Sequence, residues 1–164
     1  MNPKTALFAA ALGLSLAGAA FAQGPAQIST KDDLDALVAI ARKDTQAHKA
    51  DLVSKNMTLD GAQASAFWPL YKQYEAERQK VGDERFAIMG DLLDHYGALD
   101  DGKARSLLER AFANEEKRMA VEKKYKDEML KALPAKLVAR FFQLDRRINM
   151  LIDLTLSGKI PLAQ

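Results

Sequence analysis

The 164-residue sequence predicts an all-α fold: about four helices, two of them long, in an elongated helical hairpin or bundle. Three observations carry this. Apolar residues recur at steps of three and four over long segments. Helix-start signals stand before each of those segments, with Ser29 or Thr30, Asp60, and Asp100 or Asp101 as caps. No stretch alternates with period two over a useful length, and Asp60-Gly61 and Asp101-Gly102 precede helical patterns instead of sitting in hairpins.

Residues 1–22 read as a secretory signal peptide. Lys4 gives a short positive region, Ala6 to Ala22 runs without a charge, and Ala20-Phe21-Ala22 supplies the small-x-small cleavage pattern before Gln23. The run is shorter and richer in Ala and Gly than the roughly 20 strongly apolar residues of a membrane span. Residues 23–164 then form a single all-helical domain. Without Lys4 the formal net charge falls from +2 to +1, which is no nucleic-acid footprint. The chain has no Cys, so it carries neither a disulfide framework nor a lipid attached at the cleavage site. With no later segment of transmembrane length, the expected location is the periplasm.

In chain order, Asp32 and Asp33 lie in the first turn of the first helix, where carboxylates complement the helix dipole. Leu34, Leu37, Val38 and Ala41 begin its apolar stripe, which Leu52 and Val53 extend. The polar stretch from Arg42 to Asp51 is expected to fray or bend. The second helix opens at Leu59-Asp60-Gly61-Ala62-Gln63, where Asp60 caps and Gln63 returns to the cap's backbone N–H, as in a capping box. It carries Phe67, Leu70, Tyr71, Tyr74, Val81, Ile88, Met89, Leu92 and Tyr96. Arg78 and Arg85 fall on that seam, either as snorkelling stems with solvated heads or as paired interface charges. Pro69 removes a backbone donor and crowds the Ser65 carbonyl, so a kink or restart is expected there. Gly82 and Gly90 admit close approach of another helix, and Gly97 is expected as the C′ stop.

The third helix carries Ala104, Leu107, Leu108, Ala111, Phe112, Met119, Tyr125, Met129, Leu130 and Leu133 around a charged centre. Pro134 is expected at N1 of the fourth. There Leu137, Phe141, Leu144, Ile148, Leu151 and Thr155 form one stripe, with Val138, Phe142, Ile152 and Leu156 beside it. A band this wide is expected to be mostly buried. Gln143, Asp145, Arg146, Arg147 and Asn149 are placed on the remaining face. Gly158 ends the helix, and Ile160 and Leu162 dock a short tail. Helices this long in a mature chain of 164 less 22, or 142, residues make an elongated bundle or need a second copy to cover their apolar faces, which motivates a homodimer.

No catalytic constellation is present: no Cys nucleophile, no Gly-rich phosphate loop, no nucleophile elbow, and no carboxylate pair set apart in an apolar pocket. The chain is therefore expected not to be an enzyme and to use no cofactor. Asp91 and His95, four residues apart, could hold a divalent cation on one helix face, although a metal site needs more converging ligands. Met57, Met89, Met119 and Met129 are scattered at core spacing. Phe67-Trp68-Pro69-Leu70-Tyr71 is either a packing cluster at a bend or an apolar surface for partner or client chains.

Leu59-Asp60-Gly61-Ala62-Gln63 resembles the Leu-Thr-x-x-Gln start signal of the LTxxQ-motif group, the exported helical proteins that include Spy-like, CpxP-like and zinc-resistance-associated members. Asp60 replaces Thr and keeps the capping oxygen. Leu99-Asp100-Asp101-Gly102-Lys103 looks like a second copy with Lys for Gln. The chain is also similar to exported bacterial proteins with an FWPxY segment and a late arginine–aromatic–Gln–acid segment, matched here by Phe67 to Tyr71 and by Arg140-Phe141-Phe142-Gln143-Leu144-Asp145. The LTxxQ resemblance implies helical-hairpin dimers that shield unfolded clients or inhibit an envelope-stress sensor. The sequence departs from that group in lacking His-rich segments and in its near-neutral charge. The expectation is a chaperone-like or envelope-stress-related binding protein with a protein partner or unfolded client. Its alternatives are a metal-responsive sensor or metal-binding accessory and a structural subunit of an envelope complex. The residues singled out for motif or partner contact are Leu59, Asp60, Gln63, Phe67, Trp68, Pro69, Tyr71, Arg140, Phe142 and Gln143.

Overall fold

The computed structural model describes Ile28, residues 30–157 and residues 160–162. The signal-peptide segment and Gly158 lie outside the described residues, as do the side chains of Leu37, Ala41, Thr155 and Leu156. Among the described residues the protein is all-α, with no strand. It has four α-helices: α1 (Lys31–Asn56), α2 (Gly61–Asp94), α3 (Asp101–Ala132) and α4 (Ala135–Ser157). At 34 and 32 residues, α2 and α3 each run roughly 50 Å at 1.5 Å per residue. They form a long antiparallel hairpin. Short connections fold α1 back along α2 and α4 back along α3, and the two outer helices also touch each other. This is up-down-up-down bundle topology.

The helix starts are built from local hydrogen bonds. Thr30 Oγ1 accepts from the Asp33 N–H, Asp60 Oδ1 from the Gln63 N–H and Asp100 Oδ1 from the Lys103 N–H. Each satisfies one of the orphan donors of a first turn. Several boundaries differ from the sequence reading. The polar middle of α1 neither frays nor breaks, because Lys49 within it is buried and ion-paired to two other helices. Helix α2 ends at Asp94 and tightens into a 3-10 turn over Tyr96–Ala98, so Gly97 is no left-handed C′ residue; no glycine has positive φ among the described residues. Pro134 stands one position before α4, its carbonyl accepting from the Leu137 and Val138 N–H groups. Gly90 is the glycine that admits a close approach: a Cβ there would meet the Lys31 stem at 3.3 Å, whereas Gly82 faces open space.

Two apolar clusters hold the bundle, one at each end. At the open end of the α2–α3 hairpin all four helices contribute, with Val53, Phe67, Tyr74, Tyr125, Met129 and Phe141 among the buried members. Near the hairpin turn, Ile28, Leu34 and Val38 pack on Leu93. The third and fourth helices are less buried than expected. Leu108, Phe112, Met119 and Leu130 of α3 are exposed, as are Met150 and Leu151 of α4. The reason is that one helix face meets α2 while the flanking face of α3 is only partly covered by the shorter α4. In the tail, Ile160 is half-buried but Leu162 is exposed.

Candidate functional site

The two segments singled out in the sequence meet at the open end of the hairpin. Phe67 and Tyr71 on α2 each lie edge-on to Phe141 on α4, at 5.3 and 5.9 Å between centroids. Tyr74 makes the same contact with Phe141, Phe142 and Tyr125. Such pairs each add about 0.5–1.5 kcal/mol beyond burial of their area. Trp68 is half-buried and packs edge-on against Phe67 and Tyr71. Leu59 is half-buried against the same cluster. Asp60 and Gln63 complete a reciprocal capping box: the Asp60 N–H donates to Gln63 Oε1 at 3.2 Å.

Pro69 is exposed and neither stops nor restarts the helix; α2 runs through it as one helix. Four residues before it, Ser65 Oγ donates back to the Gly61 carbonyl at 2.9 Å. Arg140 is exposed but reaches the end of α1, where its Nε donates to the Asn56 carbonyl at 2.7 Å and so satisfies an orphan acceptor of a helix C-terminus. Leu59 to Tyr71 and Arg140 are therefore bound up with folding. Phe142 and Gln143 line an open groove.

Beside the aromatic cluster lies a buried polar layer, two of whose members, Asp145 and Asn149, the sequence reading placed on the polar face of α4. Asp145 is fully enclosed and Asn149 is half-buried. Tyr74 Oη donates to Asp145 Oδ2 at 2.7 Å and Asn149 Nδ2 to the same oxygen at 2.9 Å. Lys49 Nζ sits 2.7 Å from both Asp145 Oδ1 and Glu75 Oε1, in ion pairs that are not aligned hydrogen bonds. Arg78 and Glu122 continue the layer at 3.9 Å. Arg78 is thus a paired interface charge, and Arg85 pairs with Asp153 on α4. Burial pushes the Glu75 carboxyl above the usual carboxylate range against the pull of Lys49, and pushes the Tyr74 phenol up, with Asp145 adding to it. Asp145 stands four residues from Phe141 and so on the same helix face, but its charge reads as solvent-facing until Lys49, almost a hundred residues away, is known to meet it.

A second feature is a ladder along the α2–α3 hairpin. Glu77, Glu84 and Asp91 stand seven residues apart on α2 and pair with Lys124, Lys117 and Arg110, seven apart on α3. A seven-residue repeat on both helices keeps one seam in register. Lys103 also reaches Asp91, at 2.6 Å. Those partners hold the Asp91 carboxyl below its usual range. His95 touches Asp91 mainly through its backbone carbonyl, at 2.8 Å from Nδ1. A metal ion here would have to displace two cations, and among the described residues no three His, Cys, Asp or Glu side chains converge.

The groove lies between α3 and α4 and has a volume of about 550 Å³, within the range of ligand and peptide clefts. Its floor is apolar: Phe142 and Val138 from α4, Met119 and Leu130 from α3. Its rim carries Lys123, Lys126 and Arg146. Sequence reasoning missed Lys123 and Lys126. Their signal was present, since Met119, Lys123, Lys126 and Leu130 step four, three and four along one face. Compared with models of known protein families, with curated proteins and with solved structures, the chain matches none.

Proposed function

We propose that this is an exported periplasmic binding protein, chaperone-like or envelope-stress-related, that acts without catalysis or a cofactor and engages a protein partner or unfolded client. The observation that carries the reading is the apolar groove between α3 and α4, floored by half-buried Phe142 and exposed Met119 and Leu130. A contiguous apolar surface left open on a folded domain is the usual mark of a binding site. The leader pattern of residues 1–22 supports export, and the resemblance to the LTxxQ-motif group supports the stress-related role. Among the described residues no helix is long and apolar enough to cross a membrane.

The test is light scattering from a reduced model client. Suppression of aggregation by the folded protein near equimolar ratio is the expected result. No suppression at several-fold excess sinks the reading. The metal-binding alternative stands second because Asp91 already carries Lys103 and Arg110.

A further inference from the structure

We propose that the α3–α4 groove is the docking site for an amphipathic helix of a partner protein, one whose apolar stripe is flanked by acidic residues. The proposal rests on the binding-protein reading and narrows it to one surface and one partner chemistry. Two helices with an apolar trough between them present the surface that a third helix covers in a bundle, anchored through residues at i, i+3/i+4 and i+7. Met119 and Leu130 are 52% and 43% exposed and stand eleven residues apart, three turns of α3. The trough is therefore long enough for several anchors in line, which favours a helix over a compact small molecule.

Charge selects the partner. The groove's exposed charges are Lys123, Lys126 and Arg146. Its one acid, Glu122, is buried and already faces Arg78, Arg118 and Arg146. Lys126 pairs with Asp127, a neighbour in sequence and exposed, and such pairs exchange at little cost. An apolar stripe with acidic flanks complements this rim, and a basic-flanked stripe is repelled by it.

The test uses the mature protein and two labelled helical peptides of about 18 residues, five turns, with one leucine stripe flanked by Glu in one and Lys in the other. The Glu peptide is expected to bind with a Kd at least about tenfold lower than the Lys peptide. K123E/K126E is expected to reverse that order, and Met119→Asp to weaken binding by about tenfold. K72E/K80E makes the same charge change on exposed α2 positions outside the groove and is expected to leave both affinities unchanged. Circular dichroism checks that each variant is folded. Equal affinity for the two peptides, no binding of either, or indifference to K123E/K126E overturns the proposal. Binding to phosphatidylglycerol vesicles in place of the Glu peptide also overturns it, since the groove would then meet a membrane. Selective peptide binding without client suppression upholds the docking site and removes the chaperone-like reading. Client suppression that survives K123E/K126E while the peptide order reverses upholds the docking site and places client binding elsewhere.

Discussion

Asp145 and Glu75 share one buried cation, Lys49, yet the bundle depends on them unequally. Asp145 is fully enclosed and also receives Tyr74 Oη and Asn149 Nδ2. Asp145→Ala leaves Lys49 with Glu75 alone and strips buried Tyr74 Oη and half-buried Asn149 Nδ2 of their acceptor. Removing one partner of a buried pair costs about 3–5 kcal/mol, and urea unfolding at neutral pH should show a loss of that size. Glu75→Gln keeps a carbonyl oxygen for Lys49, leaves the Asp145 pair intact and relieves the desolvation of one carboxylate, so it should be near neutral or mildly stabilising. Equal losses in the two variants would mean that Glu75 and Asp145 neutralise Lys49 alike. Nothing in the local sequence separates these acids. Both lie on helices rich in charge, and only the long-range meeting of α1, α2 and α4 decides which of them is enclosed.

At the scale of the element, the legible parts were those fixed by local chemistry. Capping at Thr30, Asp60 and Asp100 follows from side-chain oxygens placed before helical stretches, and the structure has the corresponding hydrogen bonds. The C-terminal end of α2 and the passage through Pro69 were less legible, because tertiary packing overrides propensity there. Phe67 and Tyr71 flank Pro69 and lock the helix onto Phe141, so the chain stays helical despite a missing N–H donor. That makes Pro69 a cost carried by its neighbours. Pro69→Ala restores the donor to the Ser65 carbonyl at an exposed position, and should raise stability by about 1–3 kcal/mol, less some unfolded-state entropy. Thermal unfolding measures this. A fall in the midpoint would show that the backbone geometry fixed by proline is what seats Phe67 and Tyr71. The groove was legible only in part: Phe142 and Gln143 stood out in their segment, whereas Lys123 and Lys126 went unnoticed although they share a helix face with Met119 and Leu130, because only the packing of α4 shows that face lining a groove.

The whole molecule carries two sets of carboxylates that respond to acid with opposite sign. Glu77, Glu84 and Asp91 along the α2–α3 ladder are held below their ordinary values by hydrogen bonds from Lys124, Lys117, and Lys103 with Arg110, respectively. Their folded forms release protons more readily than the unfolded chain, so their contribution is present above the ordinary carboxylate range. It is lost as pH falls through the lowered folded values. Glu75 is raised by burial. Its folded form holds a proton more tightly than the unfolded chain, so stability decreases as pH rises through the window between its ordinary value and its raised one. On acidification from neutral pH, stability should therefore first hold or rise as Glu75 is protonated, and then fall as the ladder is. Urea midpoints at neutral, mildly acidic and strongly acidic pH check this sequence. Glu75→Gln should abolish the early rise and keep the late fall. The triple variant Glu77→Gln, Glu84→Gln, Asp91→Asn should keep the early rise and flatten the late fall, at the cost of a lower midpoint at neutral pH. The ladder's cations Lys124, Lys117 and Arg110 are exposed, whereas Lys49, which faces Glu75, is buried, so added salt should weaken the wild-type ladder's contribution and leave the Glu75 limb largely in place. An early rise that persists in Glu75→Gln would assign it to another group and break the link drawn here between the buried layer and the acid response of the bundle.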